Sequence, residues 1–168
     1  MLYICSLSKL HDTVERTGAR HLVTLINEGT SVNRPASIRP EDHLFLGFND
    51  IVEPIEGMIP PGEIHVEALL GYVSAWERQD PLVIHCFAGI SRSTAAAYIT
   101  ACALKPERDE AEIADALRAA SPSATPNARL VMFADRILGR EGRMVSAIRN
   151  IGRGRDAFEG EPFELALD

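Results

Sequence analysis

The chain has 168 residues, enough to bury one good core and short for two typical domains. Its 46% hydrophobic content excludes disorder for most of the length, and no apolar run approaches the roughly 20 residues that span a bilayer. A formal net charge of −7 argues against nucleic acid or an acidic membrane as the main partner, since both require a basic footprint.

Leu2–Ser6 reads as a first strand and Leu10–Thr17 as a short helix closed by Gly18. His21–Ile26 reads as a buried strand ending at Asn27-Glu28-Gly29. Residues 30–40 form a loop punctuated by Pro35 and Pro40. A third strand is expected over 43–48, then a loop over 49–61 carrying Pro54, Pro60 and Pro61. A helix is expected over 62–79, with Ile64, Ala68, Leu69, Tyr72, Val73 and Trp76 facing a sheet. Residues 81–85 read as the central strand, followed by helices at Arg92–Leu104, 108–120 and 127–138. Met144, Val145, Ile148 and Ile151 suit a further helix. Residues 156–168 are acidic, with Phe158, Phe163 and Leu165 as candidate anchors. Strands alternating with helices predict an α/β fold: a central, mainly parallel sheet of four to five strands with helices on both faces. Ligands in such sheets bind at the carboxyl ends of strands.

At one such end stands His85-Cys86-Phe87-Ala88-Gly89-Ile90-Ser91-Arg92-Ser93. A cysteine ends an apolar strand, and an arginine opens a helix after five intervening residues. The amides of Phe87, Ala88, Gly89, Ile90 and Ser91 have no ladder partner, and turned inward they form an anion-binding nest. The helix start adds its free N–H groups and the positive end of its dipole. Gly89 is free to take a positive φ. Arg92 can grip two phosphate oxygens at once. The field that holds a phosphate also favours a thiolate, the form of cysteine that attacks phosphorus.

This segment resembles the Cys-x5-Arg signature of the protein tyrosine phosphatase superfamily, in its dual-specificity branch and bacterial-type form. Flanking similarity spans roughly residues 2–140. The resemblance implies a phosphatase domain over 1–140, with 141–168 as a C-terminal extension, packed or partly disordered. It also implies a metal-free, cofactor-free reaction through a cysteinyl-phosphate. Cys86 is then the nucleophile and Arg92 the phosphate clamp. A phosphoester leaving group also needs a proton, and Asp50, ending the third strand ahead of a Pro-rich loop, is the candidate acid. Glu53 is the runner-up, and a turn cap is the plain alternative for Asp50.

In the family, the hydroxyl at Ser93 helps the thiolate leave, and the histidine at His85 holds the loop without acting as a base. Ser93 also suits a helix start. Ser91 reads equally as a loop-orienting or a helix-capping residue. Asn27 and Asn127 stand where related phosphatases pin the phosphate loop, and turn or cap roles suit them equally well. His11, His21, His43 and His65 form no constellation and read as surface or packed residues. Arg34 and Arg39 read as solvated charges, with a pocket rim as the alternative.

The three cysteines show no Cys-x2-Cys pair and no metal-ligand spacing. A reducing cytoplasm fits them, and the amino terminus does not read as a signal peptide. Cys5 and Cys102 read as packed residues, with a resolving thiol for an oxidised Cys86 as the alternative. Ten residues of helix, about 15 Å, separate Cys102 from the loop. The expected partner is a phosphorylated protein or a small phosphoester, with no nucleic acid and no membrane. The neutral loop between Cys86 and Arg92 counts against multiply charged phosphoinositides. Two other classes remain: a phosphate-recognition module without turnover, and a rhodanese-like sulfurtransferase, whose loop is usually shorter.

Overall fold

A computed structural model describes all 168 residues. Five strands form one sheet: β1 (Leu2–Ser6), β2 (His21–Ile26), β3 (His43–Gly47), β4 (Leu82–Cys86) and β5 (Phe163–Leu165). Their order is β3-β2-β4-β1-β5. The first four run parallel, and β5 joins β1 antiparallel.

β4 is buried along its whole length, as a central parallel strand must be. Its alternate residues point to opposite faces. Leu82 and Ile84 enter the large core with Leu2, Ile4, Val23 and Leu25, while Val83 faces a smaller one. The smaller core is closed by α1 (Leu10–Thr17) through Leu10 and Val14, together with Ile38. The large core is covered by α2 (Glu63–Ala75), α3 (Arg92–Leu104), α4 (Glu110–Ala120), α5 (Ala128–Ile137) and α6 (Arg143–Ile151). α3 is buried at every position from Arg92 to Cys102. Its alanines at 95, 96, 97 and 101 leave room for α2, α4 and α5 to pack closely around it.

The expected helix over 62–79 stops at Ala75. Trp76 turns extended, and its indole N–H donates to the Asp80 carbonyl at 3.0 Å. Ile64, expected to face the sheet, is 71% exposed. The buried stripe is Val66, Leu69 and Val73, and Ile64 lies two residues, about 200°, around the helix from Val66. The central strand runs one residue further than expected, so Cys86 is its last residue and pairs with Ser6.

Residues 141–168 pack closely. α6 lies on α4 and α5, and Phe163 and Leu165 are buried in β5. Phe158, a candidate anchor, is instead fully exposed. Asp135 joins α5 to α6 by accepting from the N–H groups of Gly142, Met144 and Val145 at 2.7, 2.8 and 3.2 Å. The buried Glu110 carboxylate takes Arg140 at 2.8 Å and Arg143 at 3.2 Å. Burial alone would push that carboxyl up. The hydrogen bonds from Arg143, its own backbone and Arg140 outweigh burial and hold it below the usual range.

Candidate active site

The loop after β4 closes around the Cys86 sulfur. The Gly89 N–H donates to Sγ at 3.2 Å, and the Ser93 hydroxyl lies 3.1 Å from it. Gly89 has φ +72, and a Cβ there would stand 2.8 Å from the backbone of Cys5 and Ser6. Only glycine allows the loop to lie so close to β1. The N–H groups of Phe87, Ala88, Ile90 and Ser91 donate to no protein acceptor. They are therefore free for an anion. The carbonyls of the loop are held by other segments: Leu7 N–H bonds Phe87 at 3.1 Å, Thr125 N–H bonds Ile90 at 2.9 Å, and Asn127 N–H bonds Ser91 at 3.3 Å.

Arg92 opens α3 and is 6% exposed. Its Nη1 donates to Asn27 Oδ1 at 2.7 Å and to the Phe48 carbonyl at 2.8 Å. Its buried Nε has no protein partner. Asn27 and the end of β3 thus aim the guanidinium and leave donor capacity on it. Asp50 Oδ1 accepts from the Ser91 hydroxyl at 2.7 Å and from Asn127 Nδ2 at 2.8 Å. Ser91 makes no side-chain cap bond. Asn127 does both jobs: its Oδ1 caps α5 through Arg129 and Leu130 N–H, each at 3.1 Å, while its amide holds Asp50. Asn27, Asp50, Met58, Phe87 and Arg92 line one cleft of about 470 Å³.

His85 Nδ1 lies 3.2 Å from the Cys86 carbonyl, and its Nε2 lies 2.8 Å from Thr24 Oγ1, which is also 2.8 Å from His43 Nε2. A carbonyl only accepts, so Nδ1 carries the proton, Thr24 donates to His85 Nε2, and His43 Nε2 donates to Thr24. Burial pushes the His85 imidazole down to about 4, against the pull of its bond to the Cys86 carbonyl, with His43 and Arg92 adding to the drop. His43 is also lowered, first by burial. A neutral relay therefore braces the backbone at Cys86.

Thr24 and His43 escaped the sequence reading. Their signal was a threonine in the middle of the apolar run Leu22-Val23-Thr24-Leu25-Ile26, in register with His85. The Phe48 carbonyl, a backbone group, leaves no sequence signal.

Glu53 lies on the adjoining rim with Asp50. Arg34 ties its own loop by donating to the Ile38 carbonyl at 2.8 Å, and Arg39 pairs with Asp42 and Glu41. Neither arginine lines the cleft. Cys5 packs in the smaller core, and burial pushes its thiol up to about 12. Cys102 is buried in α3, its thiol also raised to about 12 by burial. Both are protonated, unreactive forms at neutral pH. No group of His, Cys, Asp and Glu side chains forms a metal-binding cluster.

The protein-tyrosine phosphatase family model matches residues 56–136, a span that holds Cys86 and Arg92 and stops short of Asp50. No curated protein sequence matches the chain. Among solved structures, DUSP15 is 18% identical with a TM-score of 0.65, the match covering 89% of each chain. The PTP-2 phosphatase of Cydia pomonella is 18% identical at a TM-score of 0.64, covering 80% of this chain and 84% of that one. PTPMT1, in a structure with PI(5)P, is 15% identical at a TM-score of 0.62, covering 84% of this chain and 94% of that one.

Proposed function

From this match over residues 56–136 and a fold similar to that of the dual-specificity phosphatases, we propose that the chain belongs to the protein tyrosine phosphatase superfamily and is a cysteine-dependent phosphatase of phosphomonoesters. The observation that carries this reading is the loop itself. It carries four amides without protein partners and ends on an Arg92 whose Nε is unpartnered, and the sulfur at its start is held by Ser93 and Gly89.

Cys86 attacks phosphorus, forming an S–P bond as the P–O bond to the leaving group breaks. The amides of Phe87, Ala88, Gly89, Ile90 and Ser91, with Arg92, hold the equatorial oxygens as charge spreads over them. Asp50, protonated at that moment, gives its proton to the departing oxygen. In the second step Asp50 takes a proton from water, the water oxygen attacks phosphorus, and the S–P bond breaks to return the thiolate. The Ser93 hydroxyl stabilises that thiolate from 3.1 Å. Asn127 and Ser91 position Asp50, Asn27 positions Arg92, and His85 fixes the backbone of Cys86. Phosphotyrosine is the substrate this reading favours, with phosphoserine and phosphothreonine as further candidates.

Hydrolysis of p-nitrophenyl phosphate tests the reading. Turnover that the phosphate mimic vanadate blocks and that Cys86→Ser abolishes supports it. Phosphopeptide binding by the wild type with no turnover overturns it in favour of a recognition module.

A non-protein phosphoester is the second reading, since the PTPMT1 structure of similar fold is a complex with PI(5)P. Against it, the loop between Cys86 and Arg92 carries no lysine or arginine.

A further inference from the structure

The cleft continues on both sides. Phe87 also lines a groove of about 400 Å³ with Leu7, Ala88, Phe158 and Glu159. Asp50 and Ile51 also line a groove of about 520 Å³ with Val52, Ile55 and Pro126. Through these shared walls the three hollows adjoin as one trough, the cleft bordering both grooves. Large apolar side chains stand open along it: Val52, Ile55, Met58, Phe87 and Phe158 are 48%, 50%, 45%, 65% and 105% exposed. Such a concentration of exposed apolar surface marks an interaction site.

Phe158 lies beyond the span of the family match, on a strap that is anchored on both sides of it. Arg155 N–H bonds the Pro122 carbonyl at 2.9 Å. The Glu159 carboxylate accepts from the hydroxyls of Ser6 and Ser8. Gly160 N–H bonds the Ala88 carbonyl at 2.8 Å, and a Cβ on Gly160 would come within 2.8 Å of the Gly89 carbonyl oxygen. The chain then enters β5. The strap thus touches the phosphate loop directly and holds an aromatic ring out beside it.

Charge selects the occupant. Arg92 is the only cation lining the three hollows, and Asp50, Glu53 and Glu159 are on their walls. An anionic lipid surface would meet apolar and acidic groups where it needs basic ones. A peptide with apolar side chains meets matching surface.

We propose that Phe158 is a substrate-specificity residue: with Phe87 it forms a subsite for a large apolar side chain on one side of the phosphoresidue of a phosphoprotein, and Val52 with Ile55 forms the subsite on the other side. This deepens, and rests on, the phosphatase reading.

The test compares a phosphotyrosine peptide flanked by leucine and phenylalanine, the same peptide flanked by glutamate, p-nitrophenyl phosphate, and phosphatidylcholine vesicles carrying a phosphoinositide. The wild type is expected to favour the apolar peptide over the acidic one by about tenfold or more in kcat/KM. Phe158→Ala and Ile55→Ala should each lower kcat/KM for the apolar peptide severalfold relative to that for p-nitrophenyl phosphate. Equal rates on the two peptides overturn the proposal, as does an equal loss on the apolar peptide and p-nitrophenyl phosphate. So does a preference for the vesicles that Phe158→Ala removes, which would make the trough a lipid contact. Binding of the same peptides to Cys86→Ser, read by calorimetry, separates the two readings. A flank preference in binding without wild-type turnover retains the subsites and overturns the phosphatase reading.

Discussion

Asp50 carries two donors on one oxygen, Ser91 at 2.7 Å and Asn127 at 2.8 Å. These bonds fix the carboxyl at the cleft wall and leave its other oxygen for the proton. Asp50→Asn keeps the shape and loses the proton, so kcat on phosphotyrosine should fall about a hundredfold or more while phosphate still binds. p-Nitrophenol leaves readily without a proton, so its phosphate should show a smaller loss. Steady-state kinetics on both substrates check this, and equal retention of activity on both would remove Asp50 from the mechanism.

His85 gives a second prediction at this scale. Burial holds it neutral in the folded protein, with its pKa near 4, whereas the unfolded chain takes up the proton near 6.5. The folded state therefore loses stability as pH falls from about 6.5 to about 4, by about 3 kcal/mol in total, and the contribution is complete above that window. Urea unfolding at about pH 7 and about pH 4 measures the difference, and His85→Gln should flatten it.

At the scale of elements, the loop from Cys86 to Arg92 has rigid flanks. β4 pairs with β1 and β2, α3 is buried along nearly its whole length, and residues 121–127 brace the loop from the side. The Glu110 cluster locks α4 to the start of α6. Arg140→Ala leaves that buried carboxylate with only the half-exposed Arg143. The expected cost is about 3 kcal/mol, read as a fall in Tm of roughly 10 °C. Most of these elements were legible. Short apolar runs bounded by Gly and Pro marked the parallel strands, and the Cys-x5-Arg spacing marked the turn from β4 into α3. The end of α2 was not, because Trp76 leaves the helix to reach Asp80, a tertiary preference that periodicity does not carry. The double use of Asn127, cap and Asp50 partner, was legible only as two alternatives. Phe158 looked like an anchor because it is aromatic in an acidic tail. The anchoring is done instead by Glu159, by Gly160 and by β5.

Over the whole molecule, the last segment returns to the first. β5 lies on β1, and the strap before it bonds the loop that follows β4, so the chain end supports that loop from outside. Phe163→Ala should cost about 3 kcal/mol through its lost burial. It should also loosen the strap, raising KM for phosphopeptides more than for p-nitrophenyl phosphate. No helix is long and apolar enough to cross a membrane.

All of this geometry converges on one sulfur, and the central claim is that phosphate passes through it. Wild-type protein turning over p-nitrophenyl phosphate, quenched in acid and digested, should carry one phosphoryl group on the peptide containing Cys86, more abundant in Asp50→Asn, where this leaving group departs without a proton and the second step is slowed. A phosphoryl group on any other residue, or turnover that survives Cys86→Ser, would contradict it.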